Sequence, residues 1–305
     1  MQSPLLSRSR APAFLALSYD TKAAAALIFP IAVVLAAVAA FPIVYSFYTS
    51  FLNLKLSRPN RVPFVWFANY VDILGSEIFW VAVGRTAEFT LISVSGIMIL
   101  ALLVALLLNE AFRGRRFLAA VLLVPWAIPT VANGLMWKWI YDAGFGALNG
   151  VLFQLGLIDK YVIWLGDPAK TMALVANAYI WRGVPLASIL LLVTMKSIPE
   201  DLYRAAKVDG ANVLRRFLHI TLPSLRPGFM MVLIFEGMLA IRHFDLFYVL
   251  TQGGPGDITH VAAWQVYVES FVKLSFGTGS ALAYIMALAT FGIAYVVIRT
   301  LGRNV

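Results

Sequence analysis

The sequence predicts an all-α membrane protein with six transmembrane helices. Of its 305 residues, 61% are hydrophobic and only 13% are charged, whereas soluble domains are about half apolar and about a quarter charged. The mean hydropathy is +0.83. Six stretches are mostly apolar and reach the length of about 20 residues that a helix needs to cross a bilayer.

The six predicted spans are divided by shorter polar segments. They cover residues 23–51, 80–108, 117–140, 171–194, 228–250 and 280–301. Residues 23–301 therefore form the predicted membrane domain. Residues 1–22 carry a basic patch and a short apolar run but no clear small-residue cleavage site, so we expect a retained cytoplasmic leader rather than a signal peptide. Residues 302–305 are expected to be a short C-terminal tail.

The loops differ in basic charge, and this difference predicts the orientation. One side carries Arg8, Arg10, Lys22, Arg113, Arg115, Arg116, Lys196, Arg204, Lys207, Arg215, Arg216, Arg226 and Arg303. The other side carries Lys55, Arg58, Arg61, Lys160, Lys170 and Lys273. Because cytoplasmic loops are enriched in Lys and Arg, both termini and the segment 199–223 are expected in the cytoplasm.

The composition argues against several classes of function. The chain has no cysteine, so it has no disulfide and no thiolate metal site. Its three histidines are scattered and make no zinc cluster. The net charge of +9 fits basic cytoplasmic loops better than a nucleic-acid partner. The chain also lacks the phosphate-binding G-x-x-x-x-G-K-[ST] loop, the H-E-x-x-H motif and a convincing Ser/His/Asp set.

The segment PEDLYRAAKVDGANVLRRFLHITLP, Pro199–Pro223, interrupts the apolar pattern. Acidic residues after Pro199 favour a helix start, and Leu202, Ala205 and Ala206 give that helix one apolar face. Gly210 breaks the helix because glycine takes positive φ without steric cost. A second half-apolar helix follows. Such a pair either lies on anionic lipid or fits a groove on another protein.

This segment resembles the EAA loop of permease subunits of bacterial ABC importers. The positions that match the pattern are Ala205, Ala206, Gly210, Ile220, Leu222 and Pro223, whereas Arg204 stands where the pattern has Glu. The stretches NYVDIL (69–74) and FDLFYVLTQGGPG (244–256) resemble the carbohydrate-importer branch. The resemblance covers about residues 25–300.

The resemblance implies a type I ABC importer permease fold with a cytoplasmic coupling helix, in the bacterial inner membrane. The implied partners are a second permease, two ATPase subunits that bind ATP and Mg, and an extracytoplasmic solute-binding protein. This chain itself would be no enzyme and would hold no cofactor. The coupling role is expected for Ala205, Ala206, Asp209, Gly210, Ala211, Phe217, Leu222 and Pro223.

The implied substrate is an oligosaccharide or disaccharide that moves by alternating access. Arg182 and Arg242 keep an acidic sugar or a glycerol-phosphate compound open as an alternative. A stand-alone secondary transporter is a further alternative, although such a carrier has no need for an EAA-spaced loop.

Polar residues inside spans are costly and therefore mark candidate sites. Matching to maltose-type permeases places substrate contacts at Tyr179, Arg182, Gly183 and Leu186, and we expect Gly183 and Pro185 to interrupt the fourth span. Alternatively, Tyr179 is an interfacial anchor and Arg182 snorkels outward.

The second and fifth spans carry further charged or polar side chains. Arg85 and Glu88 are spaced to pair on one helix face. In the fifth span, Glu236, Arg242 and His243 are expected to line the path and to hydrogen-bond substrate hydroxyls. The i, i+3 spacing of Arg242 and Asp245 also predicts an ion pair.

Overall fold

The computed structural model describes residues 19–301, and most of this part is α-helical. Residues 1–18 of the predicted leader and the tail 302–305 lie outside the described residues. The helices are α1 (Tyr19–Leu35), α2 (Phe41–Ser50), α3 (Ala68–Leu74), α4 (Glu77–Asn109), α5 (Arg115–Leu122), α6 (Val124–Ala127), α7 (Thr130–Ile140), α8 (Ala147–Gln154), α9 (Pro168–Lys196), α10 (Glu200–Val208), α11 (Val213–Arg216), α12 (Leu222–Ser224), α13 (Arg226–Ile241), α14 (Asp245–Leu250), α15 (Ala262–Tyr267) and α16 (Phe276–Leu301).

By its internal contacts the chain divides into two units, Met1–Thr49 and Ser50–Val305. In the described part of the first unit, α1 and α2 are joined by a π-helical turn at Ala36–Ala40. Residues Ala23–Ser50 are apolar and long enough to cross a membrane, as the first predicted span requires. Pro30 lies inside α1.

The second unit holds the remaining spans. Helices α4, α9 and α16 are continuous and of spanning length. Two further candidates are pairs of helices bent by more than 40°, the run Arg115–Ala127 with α7 and the run Val213–Ser224 with α13. The described residues therefore contain four candidate spans, or six if each bent pair counts as one. The fold class predicted from the sequence is confirmed, but two of its spans are broken.

The third span is not the single helix that residues 117–140 predicted. The helical run Arg115–Ala127 meets α7 at an angle of 95°. Pro129 explains the break, because proline disfavours a helical conformation for the residue before it. Ile128 accordingly has extended backbone, with φ −73° and ψ 129°.

The fifth span, predicted as one helix over 228–250, is also interrupted. Helix α13 ends at Ile241, and α14 begins at Asp245. Here the break contains no proline. Helix α14 packs against α7, and Gly134 allows the close approach, since a Cβ at that position would lie 3.1 Å from Val249 Cβ.

The fourth span is continuous, so the expected interruption at Gly183 and Pro185 is wrong. Helix α9 runs unbroken through both residues. Membrane helices tolerate proline where neighbouring helices pack against them, and Pro185 is buried inside α9. Gly183 serves packing instead: a Cβ there would lie 2.6 Å from Ile97 Cδ1 on α4. The α4–α9 pair forms the centre of the core, around Phe89, Ile97, Val175 and Leu191.

The segments 51–67, 141–167 and 251–275 connect successive spans, and we call them together the loop face. Buried polar side chains order it. Asn149 donates to the carbonyl of Val162 at 3.0 Å and accepts from Trp164 Nε1 at 2.9 Å. At the start of α9, Asp167 accepts from the backbone N–H of Ala169, and hydrogen bonds from Lys170 and this N–H lower the pKa of its carboxyl. Such an N-cap stabilises the helix start.

Candidate functional site

A cavity of about 440 Å³ lies where the breaks of the third and fifth spans meet α9. Its walls combine aromatic rings with charged and hydrogen-bonding groups. The lining residues are Trp126, Thr130, Tyr179, Arg182, Gly183, Phe235, Glu236, Leu239, Arg242, His243, Phe244 and Asp245. Concave sites of this size with a few convergent polar groups are the usual form of small-ligand sites.

Tyr179 and Glu236 form the buried polar wall of the cavity. Their exposed fractions are 6% and 4%. The Tyr179 hydroxyl donates to Glu236 Oε2 at 3.1 Å, which joins α9 to α13. Gly183 leaves room beside this carboxylate, since a Cβ at position 183 would lie 3.4 Å from Glu236 Oε2. The pair therefore presents a carboxylate to the cavity in a fixed position.

Arg182 is directed at the break of the third span. Its Nε donates to the Ile128 carbonyl at 2.9 Å. Ile128 lies between α6 and α7, outside both helices, and a carbonyl beyond a helix end needs a partner from elsewhere. This contact favours a role at the cavity over a side chain that snorkels outward.

Asp245 and Thr130 join the two broken spans. The Thr130 hydroxyl donates to Asp245 Oδ2. The ion pair expected between Arg242 and Asp245 is absent from the residues that the structure describes. The i, i+3 spacing fails because Arg242 follows the end of α13 and Asp245 starts α14, so the two residues do not share one helix face. Arg242 instead stands exposed at the cavity.

His243 lies in the break between α13 and α14 and packs among aromatic rings. It stacks on Phe89 at 6.1 Å with an interplanar angle of 20° and meets Tyr179 edge-on at 4.8 Å. Its Nε2 is buried and has no hydrogen-bond partner within residues 19–301. The imidazole thus anchors the break against α4 and α9.

The structure brings together most of the substrate residues proposed from the sequence. Tyr179, Arg182, Gly183, Glu236, Arg242 and His243 all line the cavity, whereas Leu186 does not. Sequence reasoning missed Trp126, Thr130, Phe235, Leu239, Phe244 and Asp245 as lining residues. The stretch VPWAIPT (124–130) held the signal for two of them, since two prolines within a span indicate a broken helix.

The predicted coupling segment is a helix–turn–helix, as expected. Gly210 has φ +75°, its N–H donates to the Lys207 carbonyl at 3.1 Å, and the Ala211 N–H donates to the Ala206 carbonyl at 2.9 Å. These two bonds form a Schellman motif, which ends α10. Asn212 then caps α11 by accepting from the Arg215 N–H at 2.8 Å.

A hydrogen bond fixes the angle between the two arms of this segment. The Tyr203 hydroxyl lies 2.9 Å from Thr221 Oγ1 across the turn. The second arm runs through α11, a π-helical turn at Phe217–Thr221, and α12. Pro223 lies inside α12, and the chain bends by 57° only at Leu225, before α13.

The tip of the segment is apolar and accessible. The exposed fractions of Val208 and Val213 are 87% and 73%, and Leu202 and Leu214 are exposed as well. Of the residues assigned to coupling, Ala205, Asp209, Gly210 and Pro223 are exposed, whereas Ala206, Ala211, Phe217 and Leu222 are half-buried. Exposed apolar groups of this kind mark a contact with another protein or with the membrane.

Sequence comparison finds relatives of this chain among transport proteins. The chain is 35% identical to the sulfoquinovosyl glycerol transport system permease protein of Agrobacterium fabrum, over 92% of this chain and 90% of that protein. It is also 35% identical to the trehalose/maltose transport system permease protein of Thermococcus litoralis, over 91% and 94%. Its identity with the trehalose transport system permease protein of Mycobacterium tuberculosis is 32%, over 90% and 87%.

Solved structures agree on the fold. The crystal structure of a bacterial ABC transporter that imports the acidic polysaccharide alginate contains a chain with a TM-score of 0.80. The identity is 21%, and the match covers 92% of this chain and 96% of that chain. Residues 96–301 match the family described as binding-protein-dependent transport system inner membrane component. The chain therefore belongs to this family of multi-pass inner-membrane permease subunits of ABC transporters.

Proposed function

We propose that this chain carries a sugar across the inner membrane through the cavity between its two broken spans. The observation that carries the proposal is the lining, which places aromatic rings beside fixed donors and acceptors at Tyr179, Arg182 and Glu236. Such groups suit a polyol, whose hydroxyls both donate and accept. The names of the relatives, which include trehalose, maltose and sulfoquinovosyl glycerol systems, support a carbohydrate.

The partners follow from what this chain contributes. Its sequence contains no phosphate-binding loop, so ATP and Mg would bind to two separate ATPase subunits. A second permease would complete the path, and a solute-binding protein would deliver the sugar; the crystal structure of the alginate transporter with a periplasmic protein that binds an alginate pentasaccharide supports the latter.

The helix–turn–helix at 199–223 would dock into a groove of an ATPase subunit. Its exposed apolar tip and its defined angle support this role. The residues assigned to the contact are Ala205, Ala206, Asp209, Gly210, Ala211, Phe217, Leu222 and Pro223. With this segment in the cytoplasm, both chain termini are cytoplasmic too.

An acidic sugar is the second candidate substrate, and Arg242 favours it. This side chain is exposed at the cavity and forms no ion pair with any carboxylate among the described residues. A free guanidinium binds a carboxylate, sulfonate or phosphate group with charge-assisted hydrogen bonds. Substrates with such a group would use Arg242, whereas neutral disaccharides would not need its charge.

The test is uptake into vesicles that hold the full complex with its binding protein. We expect ATP-dependent uptake of trehalose or maltose, and Glu236→Gln should weaken it because the fixed carboxylate is lost. Arg242→Gln should reduce uptake of an acidic disaccharide while a neutral one still enters. A complex whose ATP hydrolysis is stimulated by its binding protein but that imports no sugar would contradict the proposal.

A further inference from the structure

A cluster of aromatic rings on the loop face adjoins the cavity at Phe244. The Phe244 ring centroid lies 5.4 Å from that of Tyr248 and 5.1 Å from that of Tyr267. Trp264 stacks on Tyr267 at 5.3 Å with an interplanar angle of 29°, and Phe271 lies 5.6 Å from Tyr267. We call this set the aromatic track: Phe244, Tyr248, Trp264, Tyr267 and Phe271.

Local structure fixes the order of these rings. The last three follow an i, i+3, i+7 spacing along α15 and the π-helical turn Val268–Val272, so they share one helix face. Phe244 and Tyr248 are one turn apart at the start of α14. Gly253 has φ +85°, and a Cβ there would lie 2.5 Å from Trp264 Nε1. The loop backbone therefore packs directly against the indole.

The rings remain accessible. Phe244, Trp264 and Tyr267 are half-buried, and the exposed fractions of Tyr248 and Phe271 are 42% and 62%. Phe271, which contacts only Tyr267 within the set, is the most exposed of the five. Tyr248 and Tyr267 also bring a hydroxyl group beside an aromatic face, which combines a large apolar surface with a hydrogen-bonding tip.

Continuity with the cavity distinguishes this surface from an ordinary membrane-interface belt. Belt tyrosines and tryptophans anchor helices at the headgroup level and need no connection to a ligand site. Here Phe244 is itself a cavity wall. Tyr248, Trp264 and Tyr267 all lie within 6.3 Å of Phe244 and of one another, measured between ring centroids, and Phe271 extends the set outward from Tyr267. The apolar C–H face of a pyranose packs on an aromatic ring, so this cluster offers such a surface directly beside the cavity.

We propose that the aromatic track is a second sugar-binding surface, which holds the outer units of an oligosaccharide while its leading unit occupies the cavity. This inference rests on the proposed function and adds a preference for chains longer than a disaccharide. A disaccharide is short enough for the cavity alone and gains little from the track.

The experiment compares substrates of two lengths in the full complex with its binding protein. Tyr248→Leu and Tyr267→Leu remove a ring but keep an apolar side chain. Phe145→Leu is the control, because Phe145 is an exposed ring of the loop face and none of the ring contacts of the track involves it. Uptake of trehalose and maltose is measured against maltotetraose and an alginate tetrasaccharide. We expect each track variant to lower uptake of a tetrasaccharide roughly 3- to 10-fold and disaccharide uptake less than 2-fold, with the control unchanged.

The outcomes separate the track from the proposed function. Unchanged tetrasaccharide uptake in both variants would overturn the track, as would a wild-type complex that imports disaccharides but no tetrasaccharide; the proposed function would survive either result. Equal losses for both lengths, with a lower melting temperature or loss of the second permease, would make the rings a lipid or subunit contact and also overturn the track. Absence of any sugar uptake by wild type would refute both.

Discussion

Substitution of Gly210 tests whether the angle of the coupling segment matters for transport. Gly210 has φ +75°, and no atom lies within 4 Å of the position that a Cβ would take. A larger residue therefore meets no clash, and the free-energy cost of the substitution comes from the backbone conformation alone. For a residue with a Cβ, the left-handed conformation costs roughly 1–2 kcal/mol, which corresponds to a factor of about 5 to 30 in the population of the observed turn.

Gly210→Val should carry the full cost, because a β-branched residue rarely adopts positive φ. Gly210→Asn is the matched control, since asparagine also adds a side chain but tolerates this conformation. With the complete complex in vesicles, we expect Gly210→Val to lower the sugar imported per ATP hydrolysed at least several-fold and Gly210→Asn to stay near wild type. Both variants should insert and purify normally.

The result that would refute this reasoning is a Gly210→Val complex whose ratio of uptake to hydrolysis equals that of Gly210→Asn. The turn geometry would then be irrelevant to coupling. An equal loss in both variants would point to the added side chain rather than to the backbone, and it would contradict the open space observed around Gly210.

Three further predictions address the site and the loop face. Thr130→Val removes the hydrogen bond to Asp245 and should cost roughly 1–3 kcal/mol, seen as a lower melting temperature that Thr130→Ser does not show. Gly183→Ala should lower the free energy of unfolding by roughly 1–3 kcal/mol through overpacking. Ile97→Val deletes the Cδ1 atom that would lie 2.6 Å from the new Cβ, so the Gly183→Ala, Ile97→Val double variant should lose less stability than the sum of the two single losses. Burial lowers the pKa of His260 below its ordinary value of 6.5, so the folded state favours the neutral ring, and stability should fall as pH drops through that value; His260→Gln should flatten this part of the pH–melting profile.

The sequence was sufficient for the spans and for the coupling segment. Spans are long and apolar, and the turn at Gly210 depends on local backbone chemistry, so a single sequence carries both signals. The pairing of Arg85 with Glu88, found at 2.8 Å, is equally local. In contrast, the continuity of α9 through Pro185 depends on the packing around this buried residue, which no local pattern reveals.

In the cavity, too, the residues could be predicted from local sequence but their contacts could not. Tyr179 and Glu236 were each nominated as polar residues inside spans, but their mutual hydrogen bond joins two helices 57 residues apart. The break after α13 contains no proline that would indicate it in the sequence. The sequence therefore predicts a continuous helix, on which Arg242 and Asp245 would share one face. Asp245 consequently finds Thr130, 115 residues away, a contact set by tertiary packing alone.

The two interruptions that meet at the cavity also give it a pair of hinges. Rotation about the backbone at 128–129 and 242–244 would change the width of the opening without unwinding a helix. The Thr130–Asp245 hydrogen bond ties the starts of α7 and α14 to each other, and the Arg182–Ile128 hydrogen bond ties the break of the third span to α9. A solute that donates to Asp245 Oδ2 or accepts from Arg182 Nε would compete with these two bonds and so bear on the freedom of both breaks.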